Sequence, residues 1–173
     1  MNTQPELIES AVTHTLLIAE AAKWLARQGC SIVITDMAHS GPETADAIGW
    51  RGGASTLIEC KVSLTDFRAD ASKPFRRDAT RGMGVHRYYC APHGLLTADM
   101  MPPEWGLLEL AAGRMLVTKK AGRHRHEVGA REEIRLLMSA IRRIGREAPT
   151  GMSVKFYTIE PKCRATLGVE VAS

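Results

Sequence analysis

Long apolar runs, closely spaced cysteines and a secretory leader are all missing from this 173-residue sequence. No window approaches the run of about 18 apolar residues that a membrane span requires, so we expect no contact with a membrane. The opening residues, MNTQPELIES, lack the basic-then-apolar order of a secretory signal, and we expect a cytoplasmic protein. The four cysteines lie far apart and form no CxxC pair, which argues against a zinc ribbon or a redox motif.

Acidic residues are absent between Gly113 and His126, a stretch that carries only basic charge. A second basic segment, from Arg68 to Arg87, contains few acids. Two such segments suit a polyanion, although solvated loops are often basic for no functional reason. We therefore expect DNA as a partner, with RNA also open, and we expect these side chains to bind it: Arg76, Arg77, Arg81, Arg87, Lys119, Lys120, Arg123 and Arg125.

Apolar periodicity divides the chain into helices and strands. The pattern predicts helices over residues 5–28, 64–72 and 127–147, and strands over 31–35, 44–50, 56–62, 87–91, 105–110 and 114–119, the last two forming a hairpin. We expect one domain over residues 1–173, with a core at about 5–120 and a basic C-terminal helix and tail at 121–173. The order of elements predicts an α/β fold, with a mixed β-sheet flanked by helices.

The strand at 56–62, reading TLIECKV, carries an acid and a base two residues apart. Side chains alternate along a strand, so Glu59 and Lys61 share one face. If the preceding strand pairs with this one across the turn at 52–53, Asp46 can come alongside Glu59. Two clustered carboxylates repel unless a cation lies between them, and Mg²⁺ or Mn²⁺ takes such oxygen ligands. Glu20 could supply a further acid if its helix packs over the sheet.

These positions and their surroundings resemble the PD-(D/E)XK nuclease superfamily. The signature is Asp46 followed by Glu59-Cys60-Lys61, and Glu20 matches the acid of a preceding helix. The flanking segments ADAIGW (45–50), IECKVS (58–63) and GMG (82–84) before RYY (87–89) are similar to small bacterial and phage proteins of that superfamily, including the MmcB-like DNA repair group. The resemblance covers about residues 10–120.

This resemblance implies a restriction-endonuclease-like αβββαβ core, with the hairpin and the C-terminal helix added, and metal-dependent hydrolysis of DNA phosphodiester bonds. It implies that Asp46, Glu59 and the Cys60 carbonyl bind Mg²⁺ or Mn²⁺. Lys61 would position or activate the attacking water, and Glu20 would be a further catalytic acid. Such a nuclease would serve DNA repair, recombination or phage–host conflict in a bacterial or phage-infected cytoplasm. A homodimer would be convenient for cutting both strands of a duplex.

Three other interpretations stay open. Glu59 and Lys61 alone could form an exposed cross-strand salt bridge, which contributes about 0–1 kcal/mol and leaves Asp46 unexplained. The chain could be a catalytically silent nuclease-fold protein that binds nucleic acid or a protein partner, for example a phage-encoded antagonist of a host system, because fold and function are separable. A structural zinc site that includes Cys90 and His93 is the third interpretation.

Overall fold

Helices and strands alternate irregularly along the chain in the computed structural model. The structure describes residues 12–37, 43–73, 76, 78, 80–124, 127–144 and 153–156. Residues 144 and 153–156 are described by their backbone only. In order they are α1 (His14–Arg27), β1 (Ile32–Thr35), β2 (Ala47–Arg51), β3 (Ala54–Cys60), α2 (Leu64–Asp70), β4 (His86–Pro92), a short 3₁₀ helix (Ala98–Met100), β5 (Trp105–Ala111), β6 (Arg114–Lys119), α3 (Glu127–Ile144) and β7 (Ser153–Phe156). Within these residues, no helix is long and apolar enough to cross a membrane.

The strands form one mixed sheet in the order β6-β5-β4-β3-β2-β1-β7. The adjacent strands β3, β4 and β5 run parallel, and every other neighbouring pair is antiparallel. Parallel neighbours need a long crossover connection, and α2 lies within the one that joins β3 to β4. The predicted α/β class and mixed sheet are confirmed, whereas the nuclease-type core stays a prediction.

Helix α1 covers one face of the sheet. Thr13 caps its first turn by accepting a hydrogen bond from the Leu16 N–H at 3.2 Å, and Gly29 ends it at φ +86°. The predicted helix included residues 12 and 13, and this part of the prediction is wrong, because Thr13 is extended and the helix begins at His14. Residues 5–11 lie outside the described part of the chain.

Apolar side chains of alternate strand positions build a core on each side of the sheet. On the α1 side, the helix packs against Ile58, Cys60 and Leu108. On the other side, Leu57 and Tyr89 pack with side chains from α3. Side chains two positions apart on a strand share a face, so Glu59 lies on the same side of the sheet as Leu57, the side that packs with α3.

The C-terminal third of the described chain is part of the same sheet assembly. Glu133 of α3 accepts hydrogen bonds from Trp50 Nε1 at 2.9 Å, Ser55 Oγ at 2.7 Å and the Gly84 N–H at 2.8 Å. Strand β7 pairs antiparallel with β1, with Phe156 opposite Ile32. No strand was predicted here from the sequence. The predicted end of α3 at residue 147 lies beyond the described residues.

Candidate active site

The strand register places Asp46 next to the motif of β3. Strands β2 and β3 are antiparallel, with Ala47 opposite Ile58, and Asp46 directly precedes Ala47. Its Oδ2 accepts a hydrogen bond from the Cys60 N–H at 2.7 Å. Because facing residues of paired strands lie on one side of the sheet, Asp46 and Glu59 come together at the carboxyl end of β3.

Glu59 and Lys61 are in contact and buried. Lys61 Nζ lies 3.4 Å from Glu59 Oε2, 3.6 Å from Asp70 Oδ1 and 3.9 Å from Asp66 Oδ1. Glu59 is 2% exposed and Lys61 is 4% exposed, so the interpretation of this pair as an exposed salt bridge is wrong. The ammonium instead belongs to a buried group of charges.

Arg76 is another cation of this group, and it pairs with three carboxylates. Its guanidinium lies 2.5 Å from Glu43 Oε1, 2.6 Å from Asp70 Oδ2 and 3.0 Å from Glu59 Oε1, and it stacks 4.6 Å from the Trp105 ring centroid. The prediction that Arg76 binds nucleic acid needs correction, because its side chain is 3% exposed and turned inward to these carboxylates.

Burial and charge shift the protonation of the group. Loss of water raises the pKa of Glu59 to about 7; Arg76 opposes this shift and Asp46 adds to it. For Asp70, burial raises the pKa, but Arg76 and hydrogen bonds from its neighbours outweigh burial and hold the pKa well below its usual range. Lys61 has a raised pKa because its acidic neighbours outweigh desolvation. Lys61 is therefore an ammonium at neutral pH.

Glu20 is not brought into this group. It forms an ion pair with Lys23 at 2.6 Å and lines a separate cleft with Val62. Helix α1 instead presents His14, whose Nε2 lies 3.4 Å from Asp46 Oδ2. His14 and Glu20 are six residues apart, which places them about 120° apart around the helix, so one of them at most can face Asp46.

The donors that remain suit a hard cation. The thiol of Cys60 points into the α1-side core, which leaves only its backbone carbonyl for coordination. Asp46 and Glu59 offer carboxylate oxygens, and their mutual repulsion contributes to the raised pKa of Glu59. Oxygen ligands of this kind fit Mg²⁺ or Mn²⁺. In the described part of the chain, no three His, Cys, Asp or Glu side chains are grouped as a metal site.

The other predicted basic contacts fall into three sets. Arg87 is fully buried and donates to the carbonyls of Gly84 at 3.0 Å and Gly82 at 2.6 Å, so the prediction that it binds nucleic acid is wrong. Arg77 and Arg125 lie outside the described residues. The basic side chains that reach solvent are Arg81, Lys119, Lys120 and Arg123, of which Lys119 is half-buried.

The zinc interpretation finds no support in the two residues that suggested it. Cys90 is buried and its Sγ lies 3.6 Å from Met115 Sδ. His93 is an exposed residue whose Nδ1 lies 3.3 Å from Glu109 Oε1. The thiol and the imidazole thus have separate partners in separate environments.

Comparisons with known proteins define the fold but no activity. No family model and no curated protein matches the chain. A solved structure, described as a protein of unknown function from Silicibacter pomeroyi, is 21% identical to it, with a TM-score of 0.58. The match covers 77% of this chain and 90% of that one. At this identity the likeness shows the fold alone, and membership of the PD-(D/E)XK superfamily stays a prediction.

Proposed function

We propose that the chain is a metal-dependent nuclease that hydrolyses DNA phosphodiester bonds. The observation that carries the proposal is the placement of Asp46 against the Cys60 backbone, beside Glu59 and with Lys61 on the same face. The sequence resemblance predicts this set of groups, and adjacent strands bring them together. Repair, recombination and phage–host conflict are the settings that the resemblance suggests.

The reaction assigns a distinct task to each group. Mg²⁺ or Mn²⁺ held by Asp46, Glu59 and the Cys60 carbonyl would polarise a phosphoryl oxygen and lower the pKa of bound water. Lys61 carries a raised pKa, so its ammonium donates a hydrogen bond to orient the attacking water and offsets the charge that develops on phosphate. A role as proton acceptor does not fit this charge state.

Burial raises the pKa of Glu59 even though Arg76 and Lys61 lie beside it. A carboxylate with a pKa of about 7 is easily protonated at neutral pH, and an added cation would keep it ionised. The exposed side chains Arg81, Lys120 and Arg123 would hold the DNA backbone outside this buried centre.

A second function, binding of nucleic acid without cleavage, is favoured by Arg76. Its guanidinium already pairs with Glu43, Glu59 and Asp70, and Glu59 is almost inaccessible to solvent. A closed group that already holds counter-charges has less need of a metal ion. Such a protein would retain DNA equally well in Mg²⁺ and in EDTA.

Cleavage assays on matched variants separate the two functions. Labelled single-stranded, duplex and branched DNA would be incubated with Mg²⁺, Mn²⁺ or EDTA. The proteins would be the wild type, Asp46→Asn, Lys61→Met and, as a control, Lys23→Met on the exposed side of α1. Asp46→Asn keeps an acceptor for the Cys60 N–H, whereas Lys61→Met removes a buried cation and should lower stability. Thermal melting of each variant establishes that it is folded at the assay temperature.

We expect metal-dependent cleavage by the wild type and by Lys23→Met. Loss of a positioned charge at a phosphoryl-transfer site lowers the rate by about 10²-fold or more, which is the loss expected for Asp46→Asn and Lys61→Met. Retention of DNA without cleavage under every condition would sink the nuclease proposal in favour of the binding function. Cleavage that persists in both variants would place the catalytic centre elsewhere.

A further inference from the structure

A second cleft lies on the other face of the sheet from Glu59. It has a volume of about 580 Å³ and is bounded by α1, the turn between β2 and β3, and the segment that follows β6. Thr56 and His86, which pair at the start of β3 and β4, form part of its wall. The cleft thus lies near the amino ends of these strands, whereas Asp46 and Lys61 lie at the carboxyl end of β3.

Aromatic rings form one side of this cleft. Trp24 and Tyr88 meet edge to face, with ring centroids 5.5 Å apart and planes at 66°. Tyr88 lies directly on the backbone of β5, because a Cβ added at Gly106 would overlap its ring and would lie 2.7 Å from the Ala121 nitrogen. Glycine at position 106 therefore lets the Tyr88 ring lie directly on the β5 backbone.

Positive and hydrogen-bonding groups also line the cleft. Arg51 is fixed by donating from Nη1 to the Gln28 carbonyl at 2.6 Å, and His86 Nδ1 lies 2.9 Å from the Gly122 carbonyl oxygen. Lys120 is exposed at the rim. No acidic side chain lines the described walls of this cleft. The described walls of the cleft thus combine an aromatic ring with positive charge and carry no acid.

We propose that this cleft binds a nucleotide, with the base against Tyr88 and the phosphate held by Lys120. Ring faces hold bases by stacking with little dependence on base identity, and guanidinium and ammonium groups hold phosphate. The same chemistry is offered by a free mononucleotide and by one nucleotide of a single strand. The site is independent of Asp46, Glu59 and Lys61 and needs no metal.

Calorimetric titration in EDTA tests the proposal without a contribution from a metal site. The probes are deoxyadenosine 5′-monophosphate, deoxyadenosine and a short single-stranded oligodeoxynucleotide. The proteins are the wild type, Lys120→Gln, Tyr88→Leu and a control, Lys23→Gln, which removes an exposed lysine outside the cleft. Thermal melting of each variant establishes that it is folded.

We expect the monophosphate to bind the wild type and Lys23→Gln more tightly than deoxyadenosine does. Loss of one charged hydrogen bond in Lys120→Gln lowers the affinity by about tenfold. Tyr88→Leu lowers it by about fivefold or more through lost stacking. If only the oligodeoxynucleotide binds and it shows the same losses, the strand is the ligand. If none of the three probes binds, or if Lys120→Gln and Lys23→Gln lose affinity equally, the proposal is overturned.

Discussion

The guanidinium of Arg76 lies 3.0 Å from the carboxylate of Glu59, at the centre of a buried group of charges. The same guanidinium bridges Glu43 and Asp70, and Lys61 adds a second cation at the edge of the group. A buried carboxylate without a counter-charge is costly, so the group depends on the cations around it. The side chains proposed to act in catalysis therefore also contribute to the free energy of unfolding.

Arg76→Met should strongly destabilise the protein at neutral pH. Removal of one partner from a buried ion pair leaves uncompensated charge and costs about 3–5 kcal/mol in the free energy of unfolding. Urea denaturation at pH 7 measures this loss. Arg81→Met, which removes an exposed arginine, serves as control and should change stability by less than about 0.5 kcal/mol. Similar midpoints for the two variants would show that Arg76 does not hold the carboxylates together.

Stability should fall as pH rises through the titration of Glu59. Burial raises its pKa from 4.5 to about 7, so the folded protein keeps a proton that the unfolded chain releases between these values. The folded state then binds more protons than the unfolded state, and the free energy of unfolding decreases with rising pH in this window.

Glu59→Gln removes this titrating group and should make the decrease smaller. The change amounts to up to about 3 kcal/mol between pH 5 and pH 8, since each unit of pKa corresponds to about 1.4 kcal/mol. Urea midpoints across this pH range provide the measurement. Glu127→Gln, at an exposed position of α3, should keep the wild-type slope. An unchanged slope in Glu59→Gln would mean that Glu59 is ionised throughout.

Mg²⁺ or Mn²⁺ should raise the melting temperature through Asp46. A ligand that binds only the folded state stabilises it by about 1.4 kcal/mol at ten times its dissociation constant. Asp46→Asn removes a carboxylate and should abolish this stabilisation. Asp99→Asn removes an exposed carboxylate elsewhere and should retain it. A wild-type protein that shows no metal-dependent shift at millimolar concentrations would contradict the assignment of Asp46 and Glu59 as ligands.

Glu133→Ala should loosen the contact between α3 and the sheet. Three donors lose their acceptor, from Trp50, Ser55 and the Gly84 backbone, and unsatisfied buried donors cost about 1–3 kcal/mol each before relaxation. We expect a loss of about 3 kcal/mol in chemical denaturation. Glu127→Ala on the exposed side of the same helix is the matched control. Equal stability of both variants would show that this carboxylate is dispensable.

Much of the fold could be predicted because its elements carry local signals. The hairpin of β5 and β6 was predicted over residues 105–110 and 114–119, and the structure has Trp105–Ala111 and Arg114–Lys119. The start of α2 was predicted at residue 64, and the helix begins at Leu64, where Ser63 accepts a hydrogen bond from the Asp66 N–H at 3.1 Å. Strand β7 had no such signal. Its pairing with β1 is a long-range contact that no local pattern encodes.

The candidate site could be predicted only for residues on paired strands, where the alternation of side chains determines which residues lie side by side. Alternation and the turn at 52–53 bring Asp46 to Glu59 as expected. The helical candidate Glu20 pairs with Lys23, and His14 contacts Asp46 instead, because the rotation of α1 depends on core packing. Arg76 looked like a solvated base in a basic loop. Only the fold reveals the three carboxylates that draw it inward.

The pairing of β7 with β1 also has a consequence for the order of folding. Ile32 and Phe156 are separated by more than a hundred residues, so their contact closes a very long loop. The hairpin of β2 and β3 closes across only two residues and can form early. Because loop-closure entropy must be overcome before distant strands gain from pairing, we expect β7 to dock last and to exchange its amide hydrogens sooner than the central strands.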